Sequence, residues 1–259
     1  MAFMLLLRAV GYCMYGALQR RQLLRANPQA VVDPLKKHHT RVYAGIRMAD
    51  IFGHVNNAKY LEICELARWH CAGYTGLVGA HWRTRTSFIV ASVSVQYVRE
   101  LPPCRSYLVT TEVLGFEEAG PVAPERPASV REEGGAAKTL LPPAGRLVMM
   151  HEIWSMDKKT LYAGILLRAA LVGDSTSPFA IPSGDRRRGK HALLDSRSLF
   201  AVDRSLEEVN RQAESNLKGL HKRLGFQPSQ EGFLGEPWIE ASRRLEKEWR
   251  SRLRSAKEP

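Results

Sequence analysis

Asp50, Gly53, His54, Asn56 and Asn57 fall within a run of eight residues, Asp-Ile-Phe-Gly-His-Val-Asn-Asn. A carboxylate and an imidazole this close together can supply a nucleophile or a general base. Asn56 and Asn57 are suited to cap a helix, and apolar residues then recur at helical spacing at Leu61, Cys64, Ala67 and Cys71. The start of a helix carries unpaired amides and a partial positive charge, so it polarises a carbonyl placed before it. An acid beside such a start is one way to build a site that cleaves or binds a thioester.

A plainer role is also open to each residue. Asp50 can accept backbone N–H bonds in its own turn, and His54 can tie down a loop or orient a ligand. The two asparagines can be caps that touch no ligand, or their amides can face solvent as an oxyanion hole. Gly53 permits a sharp corner and close backbone approach beside Val55. Tyr60 and Glu65 follow on the helix, five positions apart and so on different faces. Glu65 is a second candidate base, or simply the ion-pair partner of Arg68.

The elements that must position this corner can be read on either side of it. Thr40–Arg47 reads as a strand, and Gly73 and Gly76 mark the end of the helix. Thr86–Val98 alternates as a long strand, with Ile89, Ala91, Val93, Val95 and Tyr97 on one face; Leu101-Pro102-Pro103 breaks it. Ser106–Phe116, Arg146–Met156 and Thr160–Val172 read as further strands, the last two joined by a turn at Asp157-Lys158-Lys159. Residues 117–145 are rich in Pro, Gly, Ala and Glu and predict a disordered insertion. Beyond a basic linker at 183–190, Ser205–Leu224 predicts an amphipathic helix, and Trp238, Leu245, Trp249 and Leu253 predict a last, charged one. These helices are expected to dock on the domain or on a partner.

Met1–Gln19 is apolar, but Arg8 interrupts the run, which falls short of the ~20 residues of a bilayer crossing. Wound as a helix, it places Arg8, Tyr12, Tyr15 and Gln19 in one polar stripe. Residues 1–32 are therefore expected to be a targeting segment or an anchor to a membrane surface through residues 1–25. Mitochondrial location follows from the first reading, and the endoplasmic reticulum or another membrane from the second. The chain of 259 residues has a net charge of +12, concentrated toward its two ends. That charge favours anionic partners, so nucleic acid is not excluded. Cys13, Cys64, Cys71 and Cys104 form no C-x-x-C pair, and no metal site is expected.

Over Arg41–Arg68, the pattern D-x-x-G-H-V-N-N-A-x-Y-L followed by E-L-A-R resembles the hotdog-fold acyl-CoA thioesterases, the 4-hydroxybenzoyl-CoA thioesterase-like superfamily. It most resembles the thioesterase superfamily member 6 group. The resemblance implies an α+β fold, an antiparallel sheet wrapped around a central helix, over about residues 33–182. It implies an acyl-CoA substrate with no separate cofactor, and a homodimer or dimer of dimers with sites between subunits. It also implies that Asp50 is catalytic, with His54 and Glu65 as further candidates. Gly53, Val55, Asn56, Asn57 and Tyr60 are the implied substrate-binding positions. Arg83, Arg85, Arg99 and Arg105 are candidates to hold the CoA phosphates. Many relatives have another acid where this chain has Met48. The alternative is a non-catalytic hotdog scaffold in a mitochondrial, RNA-containing assembly.

Overall fold

The computed structural model describes residues 2–117, 146–173, 192–201 and 205–224. The expected insertion at 117–145 falls outside them but for Glu117, and the linker at 183–190 and the helix around Trp238–Leu253 fall outside them entirely.

Five strands form one antiparallel path: β1 (His38–Ala44), β2 (Thr86–Tyr97), β3 (Arg105–Glu117), β4 (Arg146–Trp154) and β5 (Leu161–Gly173), in spatial order β1-β3-β4-β5-β2. The short β6 (Ala192–Leu194) adds to β5 beyond the end of β4. Of the helices, α1 (Ala2–Ala26) precedes β1, while α2 (Asn57–Thr75) and α3 (Leu77–Thr84) lie between β1 and β2. The chain continues past β6 into α4 (Ser196–Phe200) and α5 (Leu206–Leu224). The long antiparallel sheet wraps α2, which is the α+β hotdog arrangement.

The reason lies in what α2 must bury. Tyr60, Ile63, Cys64, Leu66, Ala67, His70 and Cys71 are all buried on it. They meet Val42 and Ala44 of β1, Tyr107 and Val109 of β3, Ile153 of β4 and Ile165 of β5. Each large apolar side chain removed from water here contributes about 1.5–3 kcal/mol. Leu61, expected on this face, is partly exposed instead, because the buried stripe runs through Tyr60 and Ile63. The Cys64 and Cys71 thiols are free and pushed up to about 12 by burial.

A second cluster fills the other end of the sheet, where Leu35, Val113, Leu147, Leu167 and Leu171 meet Leu199, Phe200 and Val209. Here α5 docks on the domain. Ser205 and Glu208 bond each other's backbone amides in a capping box, and Asn216 donates to the carbonyls of Leu35 and Val113 at 2.9 and 2.7 Å.

Several local features differ from the sequence reading. The first strand stops at Ala44, since residues 46–48 turn into a 3-10 helix. Gly76, at φ 85°, caps α2 in the left-handed conformation, but Gly73 lies inside the helix. A register shift between Val90 and Ser92 bulges β2 and breaks its alternation. Ile89, Val93 and Tyr97 are exposed on this edge strand, while Val95 packs on the core. The turn at Asp157-Lys158-Lys159 forms as expected, with Lys158 at φ 60°.

Gly73 has a packing role. A Cβ built on it would overlap the Cys13 carbonyl oxygen of α1, and one on Gly16 would overlap the His70 carbonyl oxygen of α2. Two helix backbones approach closely because both faces lack side chains there. Arg8 reinforces the pair, reaching Glu62 of α2 at 2.9 Å and the Tyr43 carbonyl at 3.1 Å. Gly73→Ala should therefore loosen α1 at a cost of about 1–3 kcal/mol, whereas Gly11→Ala, with nothing within 4 Å, should be neutral or slightly stabilising. Limited proteolysis between α1 and β1, with thermal unfolding of the two variants, checks this; equal behaviour of the two would contradict the packing.

Candidate active site

The corner before α2 is tied together by its own backbone. The Asp50 amide donates to the His54 carbonyl at 2.9 Å, and the Gly53 amide to the Asp50 carbonyl at 3.2 Å. Gly53 holds φ at 82°, a conformation that a side chain would strain. Val55 is fully buried and anchors the loop; its amide donates to the Leu101 carbonyl at 2.8 Å. The Asn56 amide donates to the carbonyl of the buried Met48 at 2.8 Å.

This scaffold sets the Asp50 carboxylate against His54. Oδ2 lies 3.1 Å from His54 Nδ1, and Oδ1 accepts the Phe52 amide at 2.9 Å. The contact directs Nδ1 of the imidazole to the acid and leaves Nε2 as the nitrogen able to take a proton. Ile51 and Phe52, at 93% and 77% exposure, flank the pair with apolar surface.

The helix start follows this pair directly in the chain. Asn56 is the cap: its Oδ1 accepts the Ala58 amide at 2.9 Å, and its carbonyl accepts the Lys59 amide at 2.8 Å. Among the described residues the Asn57 amide has no acceptor, so one donor at the positive end of α2 is left to meet a ligand.

Tyr60 is placed differently from the exposed corner residues. Its ring is buried, its hydroxyl donates to the Arg99 carbonyl at 3.3 Å, and its oxygen accepts the Leu101 amide at 3.1 Å. Burial pushes its hydroxyl up to about 12. Here Tyr60 clamps the first turn of α2 to the segment after β2. Glu65 lies about 12 Å further along α2 than Asn57. It accepts from Arg68 and, at 2.8 Å, from Trp69 Nε1. Arg68 in turn approaches His151 Nε2 at 3.5 Å, and His151 Nδ1 lies 3.1 Å from Thr111 Oγ1. Asp50, Gly53, His54, Asn56 and Asn57 are thus brought together, while Glu65 belongs to a separate polar chain toward the sheet.

Tyr97 and Leu101 were missed in the sequence. Tyr97 stands edge-on to Tyr60 with ring centroids 5.0 Å apart, and its hydroxyl donates to the Asn57 carbonyl at 3.3 Å. Leu101 supplies backbone only, and no side-chain pattern announces that. Of the four arginines offered for CoA phosphates, Arg99 follows β2 back to the start of α2. Arg83 and Arg85 instead follow the far end of α2. Exposed Arg47, in the 3-10 turn just before Asp50, joins Arg99 as a neighbour of the corner. No group of three or more His, Cys, Asp or Glu side chains able to hold a metal occurs among the described residues.

Residues 44–120 match the model of the thioesterase-like superfamily, a span that opens at the end of β1 and contains the whole corner. The chain is also similar to Protein THEM6 of Xenopus laevis, 28% identical over 127 residues. That match takes in 48% of this chain and spans only 59% of the frog protein. Among solved structures, the probable thioesterase YbaW of Escherichia coli is similar at 16% identity and a TM-score of 0.39, covering 68% of this chain and 97% of that one. A Thermus thermophilus thioesterase complexed with coenzyme A and Zn is similar at 19% identity and 0.36, covering 68% and 93%.

Histidines outside the corner govern acid stability. His38 Nε2 lies 3.0 Å from His70 Nδ1, beside Thr40 and the ring of Tyr15. Burial, then the neighbouring His70, lowers His38 to about 4; burial also lowers His70, and burial with Arg68 holds fully enclosed His151 well below its usual range. These imidazoles are neutral in the folded chain but take a proton near pH 6.5 when unfolded. Their contribution is complete above about pH 6.5 and is lost as pH falls toward about 4. The midpoint of thermal unfolding should fall by several degrees from about pH 7 to about pH 5, with a shallower slope in His38→Gln. A flat profile over that range would contradict the neutral pair.

Proposed function

We propose that this chain hydrolyses acyl-CoA thioesters at the corner between Asp50 and Asn57. The observation that carries the reading is the contact of Asp50 Oδ2 with His54 Nδ1, beside the open amide of Asn57. The match of residues 44–120 to the thioesterase-like superfamily model supports it, since that span contains all of these residues.

In this reading the thioester carbonyl lies before α2, its oxygen toward the Asn57 amide and the positive helix end. Water attacks the carbonyl carbon and gives its proton to the Asp50–His54 pair. The C–S bond breaks, the proton passes to the leaving sulfur, and a carboxylic acid and a free thiol result. Asp50 acts either as the base itself or as the group that orients and stabilises the His54 imidazolium. Direct attack by the Asp50 carboxylate is the other route. The exposed Ile51 and Phe52 supply apolar surface for the acyl chain, and Arg47 and Arg99 supply cations for phosphate.

A second copy completes this site in the proposal. β2 is a 12-residue edge strand whose outer side has no neighbour among the described residues, and it exposes Ile89, Val90, Val93 and Tyr97. A long apolar edge of this kind pairs with another strand rather than remaining in water. A homodimer, alone or as a dimer of dimers, covers it; the mass of a single chain in light scattering would contradict that.

The second reading is a non-catalytic scaffold in a mitochondrial, RNA-containing assembly. It is favoured by both carboxylate oxygens of Asp50 being engaged within its own loop. Salt-sensitive co-purification with RNA would support it. We propose a mitochondrial location, with the endoplasmic reticulum or another membrane as the alternative. The close fit of Gly16 against α2 favours retention of α1 over its removal.

Thiol release from a panel of short, medium, long and aromatic acyl-CoAs is the test. The unaltered chain should hydrolyse at least one class, and Asp50→Ala should lower kcat/KM by at least about a hundredfold. Full activity in Asp50→Ala, or none in the unaltered chain across the panel, would overturn the reading.

A further inference from the structure

The polarity of α1 is reversed for a helix that packs on a protein in water. Arg8, Ala9, Tyr12, Cys13, Gly16 and Gln19 face inward or are half-buried, while Phe3, Met4, Leu6, Leu7, Val10, Met14 and Leu18 are exposed. Met4, Leu7, Met14 and Leu18 recur at helical spacing, with Phe3, Leu6 and Val10 beside them, so the exposed residues form a continuous stripe. Arg8, the charge that interrupts this run in the sequence, is turned toward Glu62 and leaves the stripe uncharged. The direction of the helix is fixed, because only the Gly16 face can approach Gly73 of α2. No described segment covers the stripe, and an apolar surface of this extent marks an interaction site.

We infer that the outer face of α1 lies in the interface of a membrane containing anionic phospholipid. Charge supports this occupant: residues 1–32 contain no acid, and Arg21 and Arg25 are exposed at the end of the stripe. A second α1 would offer those arginines no carboxylate, whereas lipid phosphate and phosphatidylserine do. The same end carries α3, whose first residues adjoin Gly76, against which the Arg20 guanidinium packs. There Trp82 is 85% exposed beside Arg83, and an indole next to a guanidinium suits the headgroup layer. No described helix is long and apolar enough to cross a membrane, so α1 lies along the surface, where its 25 residues span about 37 Å. Anchoring of this kind would hold the protein at a lipid surface whether or not Asp50 hydrolyses a thioester.

The test is flotation of the full chain with vesicles of phosphatidylcholine alone or with about one third phosphatidylserine. The protein should float with the anionic vesicles and much less with the neutral ones, and added salt should weaken the association. Leu7→Glu with Met14→Glu, both at exposed positions, should lower partitioning at least about tenfold while leaving the unfolding midpoint unchanged. Arg21→Ser and Arg25→Ser should each lower anionic binding about fivefold. Three results would overturn the inference: no flotation with either vesicle, undiminished flotation of the double variant, or a double variant that only changes the oligomer mass. The last would assign the stripe to a second copy.

Discussion

The candidate site depends on one clamp, the hold that the segment after β2 has on the first turn of α2. Tyr60 bridges the Arg99 carbonyl and the Leu101 amide, and the Leu101 carbonyl accepts the Val55 amide on the other side of the corner. The Tyr60–Leu101 bond is buried and the Tyr60–Arg99 bond partly so, and a buried group left unpaired costs about 1–3 kcal/mol. They are therefore kept closed, and the Asp50–Asn57 loop is carried on a rigid base. Pre-organisation of this kind lets a single open amide and one Asp–His contact matter to a reaction.

At the opposite surface of α2 a different constraint operates. Two glycines let α1 come close enough that its backbone, rather than its side chains, forms the contact. The small and polar residues of α1 are thereby spent on the protein, and its leucines and methionines are turned outward. The wrapped helix has one end devoted to the candidate chemistry and one flank committed to α1. The lipid inference and the thioester reading stand on these separate parts of the same element.

Much of this was legible in the sequence where the signal is local. Asn56 caps α2 because an asparagine side chain reaches the amide two residues on, and the Asp157–Lys159 turn joins two strands of plain alternation. Ser205 with Glu208 announces the start of α5 in the same way. The sheet order is not local and was not read; only the antiparallel wrap around a central helix entered, through the resemblance carried by D-x-x-G-H-V-N-N-A-x-Y-L. Where the reading failed, distance was the cause. β2 lies at the edge of the sheet, which only its pairing with β5 reveals, so the apolar face assigned to it is in fact largely exposed. Gly73 resembles a helix end until Cys13 of α1 is seen against it. α3 contains Gly79, Trp82 and two basic residues and looks like a loop by composition. Tyr97 and Leu101 act on a corner some forty residues earlier, and only the fold brings them there. Asp50 and His54 were singled out as candidates, but their mutual contact was not read, because spacing alone leaves open whether a loop closes on itself.

The central claim is that a thioester binds with its carbonyl at the start of α2. The most direct measurement is amide chemical-shift mapping of the full chain with a non-hydrolysable acyl-CoA thioether. The account predicts the largest shifts at Asn57, Gly53 and the Asp50–His54 loop, with smaller ones at Arg99 and Tyr97. Saturable shifts confined to other parts of the fold, or none at all, would contradict it.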